Sequence, residues 1–406
     1  MMSANTTTSH HEAILVQRDD SYAIQVLPAI LILAVLMLLG VVGNSLVCYV
    51  YLIKLKRNVV TYFISSLAFL DLLNCVISIP YEIAVMRYNY TFGTSTACMV
   101  VPVMIYFISI TSAFVLVAVA VDRFRKICKA LKLQVTTFMA KVAVFGCCAG
   151  GAVVSVPITI LYGPSTITTH DFINGSRCSV ADEYKGTTFQ IVYHGIEFLI
   201  FLMCTASLIA LYAFIWRQLA RQRRFKNDMS SPRKRNASVT TRDIESTTSE
   251  TSSTCETWAG VLPMPNEQLI DQKTGASVSS CPPADESAKD DEDTKQCRKG
   301  TSPHRMSTSI YRRNTMTSPQ SKRARKTTMM LFMITLVFVL SFLPHLAIMA
   351  AAANNEHLYS SLQGAQIAAY NLFERSYLFN SAFNPIIYSF FSDKFRRELK
   401  VIFGRR

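Results

Sequence analysis

The sequence predicts an all-α membrane protein: a bundle of seven transmembrane helices followed by a short amphipathic helix on the membrane surface. Three observations carry this. Half of the 406 residues are hydrophobic and 17% are charged, against roughly a quarter charged in a typical soluble protein. The apolar residues gather into long runs separated by polar segments, which is the pattern of membrane spans. Basic residues then alternate from loop to loop along the chain.

The runs lie at about 27–53, 59–82, 98–122, 141–163, 189–216, 327–350 and 363–390. Each is long enough, since roughly 20 helical residues cross the hydrocarbon core. The seventh is the weakest, because Glu374 and Arg375 interrupt it. Lys54, Lys56 and Arg57 follow the first run, and Arg123, Arg125, Lys126, Lys129 and Lys132 follow the third. Arg217, Arg221, Arg223, Arg224 and Lys226 follow the fifth, and Lys394, Arg396, Arg397 and Lys400 follow the seventh. The alternate loops hold only Arg87, Arg177 and Lys185. The positive-inside rule puts the N-terminus outside and the C-terminus in the cytosol.

The expected partition is an extracellular tail at 1–26, spans one to five within 27–216, a long cytosolic loop at 217–326, spans six and seven within 327–390, and an amphipathic helix with a short tail at 391–406. The polar first segment has no cleavable signal pattern, so the first span serves as the targeting signal. Sequons at Asn5, Asn89 and Asn174 all fall on the outer side, where glycans are added. Asn236 lies on the inner side and is expected to stay bare. The net charge of +14 is thus topological, and no nucleic-acid partner is expected.

Most of the eleven cysteines sit inside apolar runs as small packing residues, and no spacing suggests zinc. Cys98 and Cys178 differ, because both face the oxidising compartment. They form either a disulfide across the mouth of the bundle or two free thiols. The 217–326 loop is rich in Ser, Thr and charge, and cannot bury enough apolar surface to fold by itself. Its basic ends extend the fifth and sixth helices toward anionic lipid or an acidic partner. Ser238 and Thr315 follow basic residues as kinase sites do. Each phosphate would add roughly −2 charges. Past the seventh span, Phe395, Leu399 and Ile402 recur three to four apart among basic residues, a helix made for the inner leaflet. No cysteine follows it to carry a palmitoyl anchor.

Polar groups inside spans are costly and usually functional. Asn44, Asp71, Ser112, Asn380 and Asn384 form one such set. It reads either as an oxygen-lined site for an allosteric sodium ion or as a hydrogen-bond network holding water. Pro344 and Pro385 each remove a backbone donor and kink their helices. Asp122 and Arg123 form an adjacent acid and base where the third span leaves the membrane.

Together these residues resemble the rhodopsin-like family of G-protein-coupled receptors. The resemblance rests on Gly43-Asn44, the run Leu67 to Asp71, Cys98 with Cys178, Asp122-Arg123-Phe124, the run Phe338 to Pro344, and Asn384-Pro385-Ile386-Ile387-Tyr388. It covers roughly 300 of the 406 residues, and the motif order makes it specific. It implies a plasma-membrane receptor rather than an enzyme. An outside ligand would swing the sixth helix outward at its cytosolic end and open a cavity for a heterotrimeric G protein. Asp122, Arg123, Tyr212, Phe338, Phe342, Pro344, Asn384, Pro385 and Tyr388 would be the switch residues, with kinases and arrestin as further partners. Phe342 stands where the family usually has a tryptophan. Cys147 and Cys204 replace the usual tryptophan of the fourth span and proline of the fifth. Ala324 offers no acid to lock Arg123, so the resting state would be held less firmly.

Ile105 stands where amine receptors of the family carry an aspartate, and Leu378 where opsins carry the retinal lysine. Glu82, His194, Glu197, His345 and Glu374 join Ile105 and Phe342 as pocket residues in the outer halves of the spans. Three carboxylates there favour a cationic ligand, such as an Arg-containing or amidated neuropeptide; the other reading is that Glu374 pairs with Arg375 or another helix and that the histidines only hydrogen-bond locally. The alternatives are a small cationic or other non-peptide ligand and, further off, a transporter. A transporter would need paired broken helices or an inverted repeat, and neither is visible. No catalytic triad, metal motif or phosphate loop is present in the sequence.

Overall fold

Lipid offers no hydrogen bonds, so an apolar run must satisfy its own backbone polar groups, and helices do so. The computed structural model describes residues 2–92, 96–128, 135–168, 173–230, 319–354 and 358–404. The helices in it form a seven-transmembrane bundle. Most of the 217–326 loop, including Ser238 and Thr315, lies outside the described residues, as does the side chain of Asn5.

The first helix, α1 (Met2–Tyr49), begins far before the expected span. The segment read as an extracellular tail is helical from Met2 and continuous with the first span. Its acids have partners that hydropathy does not reveal. Asp19 is buried and accepts from the Tyr90 amide at 2.8 Å and from the Thr91 hydroxyl at 2.6 Å. Asp20 pairs with Arg87 at 2.5 Å. The extension is thereby fastened to the turn after the second span. Further along, Gly43 is needed for packing: a Cβ there would come within 2.6 Å of the Pro385 ring.

The second span is α2 (Val59–Leu73), a π turn (Asn74–Ser78) and α3 (Ile79–Arg87). Pro80 lies just past the π turn and has no N–H to return to residue 76. A regular helix would also drive its ring into that carbonyl, and the wider turn relieves this. The third span, α4 (Thr96–Cys128), buries Cys98, Pro102, Ile105, Ile108, Ser112, Val115 and Val119. That three-to-four spacing puts one apolar face along the bundle interior. The fourth is α5 (Thr137–Ser155) with the short α6 (Ile158–Leu161).

A hairpin then crosses the mouth, which the sequence reading did not anticipate. Strand β1 (Tyr162–Thr168) pairs antiparallel with β2 (Asn174–Val180), in register from Tyr162 opposite Val180 to Thr168 opposite Asn174. Cys178 on β2 is disulfide-bonded to Cys98. Beyond the hairpin, Asp182 pairs with Lys185 and accepts from the Thr166 amide at 2.9 Å. Those partners hold its carboxyl well below the usual carboxylate range.

The fifth and sixth spans, α7 (Thr188–Ser230) and α8 (Pro319–Asn354), both run into the segment read as loop. Among the described residues, six helices are long and apolar enough to cross a membrane unbroken. The seventh span is divided at Arg375 into α9 (Ala365–Glu374), a 3-10 turn (Ser376–Leu378) and α10 (Phe379–Phe391). The last helix, α11 (Asp393–Ile402), is capped by Ser392, whose hydroxyl accepts from the Phe395 amide. Phe395 is buried against Tyr51 and Tyr388, while Val401 and Phe403 remain exposed beside the basic residues.

Candidate functional site

Three polar assemblies lie along the bundle, one near each end and one at mid-depth. At the end away from the hairpin, Asp122 is 2% exposed and its Oδ2 accepts both Arg123 Nε–H, at 3.0 Å, and the Arg123 NH2 group. The two therefore pair within one helix. Lys126, one turn on, places its ammonium 3.1 Å from Oδ1. That contact is close enough for an ion pair, but it is off the hydrogen-bonding direction, so Oδ1 accepts no hydrogen bond. Above the pair, Thr335 donates to the Tyr212 hydroxyl at 3.4 Å. Tyr388 is fully buried beside Tyr51, and its hydroxyl has no partner among the described residues.

At mid-depth, Asn384 donates to Asp71 Oδ2 at 2.6 Å, and Asn44 donates to the Ser381 carbonyl at 2.8 Å. Asn74 donates to the Ser381 hydroxyl at 2.8 Å. Ser112 and Asn380 line a small internal cavity with Asn74, Ser109 and Ser381. The sequence reading thus placed Asn44, Asp71, Ser112, Asn380 and Asn384 in one region but missed Asn74 and Ser381. Asn74 follows Asp71 by three residues and so shares its helix face, a spacing that could have found it. The Oδ1 atoms of Asn44, Asn74, Asn380 and Asn384 are buried without a hydrogen-bond partner among the described residues. One carboxylate and several uncommitted neutral oxygens make a donor set that fits a hard monovalent cation.

In the outer half, two of the three carboxylates meet a cation of the chain itself. Arg375 is buried and pairs with Glu82 at 2.8 Å and Glu374 at 2.7 Å. It also donates to Asn371 Oδ1 at 3.1 Å, and Tyr377 donates to Glu82 at 3.2 Å. A buried guanidinium must be paired and hydrogen-bonded, and these groups meet that demand. Glu82 and Glu374 therefore neutralise an internal cation before any ligand arrives. Glu197 differs: its Oε2 meets His194 Nδ1 at 2.9 Å, while its Oε1 is buried with no hydrogen-bond partner among the described residues. The nearby Tyr193 hydroxyl donates its proton to the Val154 carbonyl at 3.0 Å. Tyr106 and Tyr162 share a hydrogen bond at 3.2 Å, and Tyr193 packs its ring 5.7 Å from that of His194. Ile105 is buried on α4.

Below this compartment, Phe342 stacks on Phe201 at 5.7 Å and lies 4.6 Å from Phe338 and 6.0 Å from Tyr377, ring centre to ring centre. His345 Nδ1–H donates to the Glu374 carbonyl. The aromatic column thus runs from the outer compartment toward the Pro344 kink of α8. At the surface, Asn174 is exposed at the start of β2 and Asn89 is partly exposed in the turn after α3.

Comparison with known proteins agrees with this architecture. Residues 43–388 match the family model described as 7 transmembrane receptor (rhodopsin family). The chain is 35% identical over 98 residues to the C3a anaphylatoxin chemotactic receptor of Oncorhynchus mykiss, covering 24% of this chain and 26% of the relative. It is 29% identical over 198 residues to octopamine receptor beta-2R of Chilo suppressalis, covering 47% and 48%. The matched stretches thus span less than half of either relative.

Proposed function

The chain belongs to the rhodopsin family of seven-transmembrane receptors, and from that premise we propose that it binds an extracellular neuropeptide and activates a heterotrimeric G protein. The observation that carries the ligand reading is Glu197, a carboxylate in the outer compartment with one oxygen uncommitted and the other on His194, whose ring meets Tyr193. A basic side chain or an amidated, cationic peptide end supplies the missing donor. The two relatives are named for unlike ligands, C3a and octopamine, so the choice rests on the site. Ile105 is buried and apolar where amine receptors of the family carry an acid, which disfavours an amine held in that way. The same Glu197 oxygen favours a second reading, a small cationic ligand held from α7.

Signalling follows from a two-state bundle. The ligand must bind the state with an open cytosolic face better than the resting one. The Asp122–Arg123 pair belongs to the resting state, and releasing Arg123 toward Tyr212 and Tyr388 accompanies the outward movement of the sixth helix. Phe338 and Phe342 relay the change past Pro344, and Asn384 and Pro385 adjust the seventh helix. A sodium ion held by Asp71, Ser112, Asn380 and Asn384, near Asn44, would supply positive charge to a buried carboxylate and favour the resting packing; water is the competing occupant. The chain sits in the plasma membrane with its N-terminus outside and carries glycans at Asn5, Asn89 and Asn174. Kinases acting on Ser238 and Thr315, followed by arrestin, end the signal.

The test is a screen of peptides with basic or amidated ends in cells carrying a promiscuous G-protein reporter. Glu197→Gln is expected to lower the potency of an active peptide by roughly ten- to a hundredfold, the worth of a charge-assisted hydrogen bond. Full potency in that variant would overturn cationic recognition. Activation by small amines alone, with every peptide inert, would replace the peptide reading with the second one.

A further inference from the structure

Proline at 344 deprives α8 of one backbone donor, and two backbone groups beside it are bonded from outside the helix. In a continuous helix, the His345 amide would donate to the Ser341 carbonyl four residues back. Here the Ser376 hydroxyl bonds both groups, accepting from His345 N–H at 3.2 Å and donating to the Ser341 carbonyl at 2.7 Å. A side chain inserted into the hydrogen-bond ladder is one of the few things that bend a helix sharply. This one comes from the seventh span, 31 residues beyond His345.

Ser376 is 2% exposed and opens the 3-10 turn where the seventh span is divided. The preceding residue is Arg375, fixed by Glu82 and Glu374. His345, on the other side of the kink, is joined to the Glu374 carbonyl. The divided turn of the seventh span is thus stitched to the sixth beside Pro344 at two residues, Glu374 and Ser376, which flank Arg375. We propose that Ser376 is a positioning residue that holds the sixth helix bent at Pro344, and that the Arg375 ion cluster at the outer mouth sets the bend through it. The reading of the sixth helix as the mobile element rests on the receptor function above. The bend is amplified with distance. From Pro344 to Lys326 the helix is a lever of roughly 27 Å, at about 1.5 Å per residue, so each 10° of kink moves the cytosolic end by about 5 Å.

The test uses the full chain in detergent or nanodiscs, with spin labels at the cytosolic ends of α2 and α8, and reads their separation without ligand. Ser376→Val and Ser376→Thr match in shape and differ in the hydroxyl. The Val variant, and Ser376→Ala beside it, is expected to let the Ser341–His345 bond close and shift the separation by several ångströms. The Thr variant is expected to keep the wild-type distribution. Glu82→Gln is expected to shift the separation in the wild-type background and to add nothing in Ser376→Val. A Val distribution that superposes on the Thr and wild-type ones would overturn the assignment, as would a Glu82→Gln shift of undiminished size in the Val background. No G protein enters this measurement. Shifted distances with no change in nucleotide exchange in any variant would therefore sink the receptor reading and leave Ser376 in place.

Discussion

Tyr388 is a large side chain, fully buried, whose hydroxyl finds no partner among the described residues. An unsatisfied buried donor costs about 1–3 kcal/mol, so it persists where another state repays it. Replacing the residue with phenylalanine removes the orphan while keeping the ring packed between Tyr51 and Phe395. Tyr388→Phe is therefore expected to raise the melting temperature of the resting receptor and to lower its maximal nucleotide exchange. A thermal melt and an exchange assay on the same preparation check both; a variant that melts lower and signals fully would contradict the idea. The resemblance picked out Tyr388 from its motif. That its hydroxyl lacks a partner was not legible, because the fact depends on every neighbour the fold brings near. Glu82 and Glu374 make the same point in reverse: as letters they are acids near a mouth, and only their distance to Arg375 shows them neutralised.

Among the elements, the junction of α8 and α11 is the most sensitive to conditions. Asp393 pairs with Lys326 of α8 at 2.9 Å and with Arg396 on its own helix. The Lys326 contact, then Arg396, holds the Asp393 carboxyl below its ordinary range. A carboxyl depressed in the folded state contributes stability that is full above its unfolded value of about 4 and is lost as pH falls through the lower folded value. The α8–α11 contact is thus expected to hold from neutral pH to about pH 4 and to loosen below. Both side chains are about half exposed, so the pair is weak and salt should erode it. A quencher–fluorophore pair across the junction reads this. Asp393→Asn should already be loosened at neutral pH, and an unchanged signal there would contradict the pairing. The amphipathic character of α11 was plain from the spacing of Phe395, Leu399 and Ile402. Its ion pair to the sixth helix was not, since sequence spacing says nothing about which basic end an acid meets.

For the whole molecule, the decisive constraint is at the mouth. The Cys98–Cys178 disulfide closes 80 residues of chain and fastens the hairpin to the third span. For a soluble chain, the entropy of such a loop gives roughly 4.5 kcal/mol. The spans between the two cysteines stay inserted in the membrane, so the value here should be smaller. Reduction, or Cys178→Ser, is expected to lower the melting temperature and to weaken ligand potency more than it weakens cytosolic coupling. A melt with and without reductant, together with a dose–response curve, measures this. Equal stability in both would mean that the hairpin holds its place without the bond.

The sequence alone determined the number of spans, their order and the membrane-surface helix. Hydropathy and loop charge are properties of short stretches, and the bilayer reads them one stretch at a time. It also showed the family through motifs whose order survives in any folded context. Only the tertiary structure decided how the polar groups inside the bundle are shared. Arg375 takes Glu82 from 293 residues away, Asn74 takes Ser381 from 307, Asp19 fastens a helix that looked like a tail, and Ser376 bonds two backbone groups of another helix. The physical reason is common to all four. A buried polar group must be paired, but the chain can supply the partner from any distance, and that choice is made by packing.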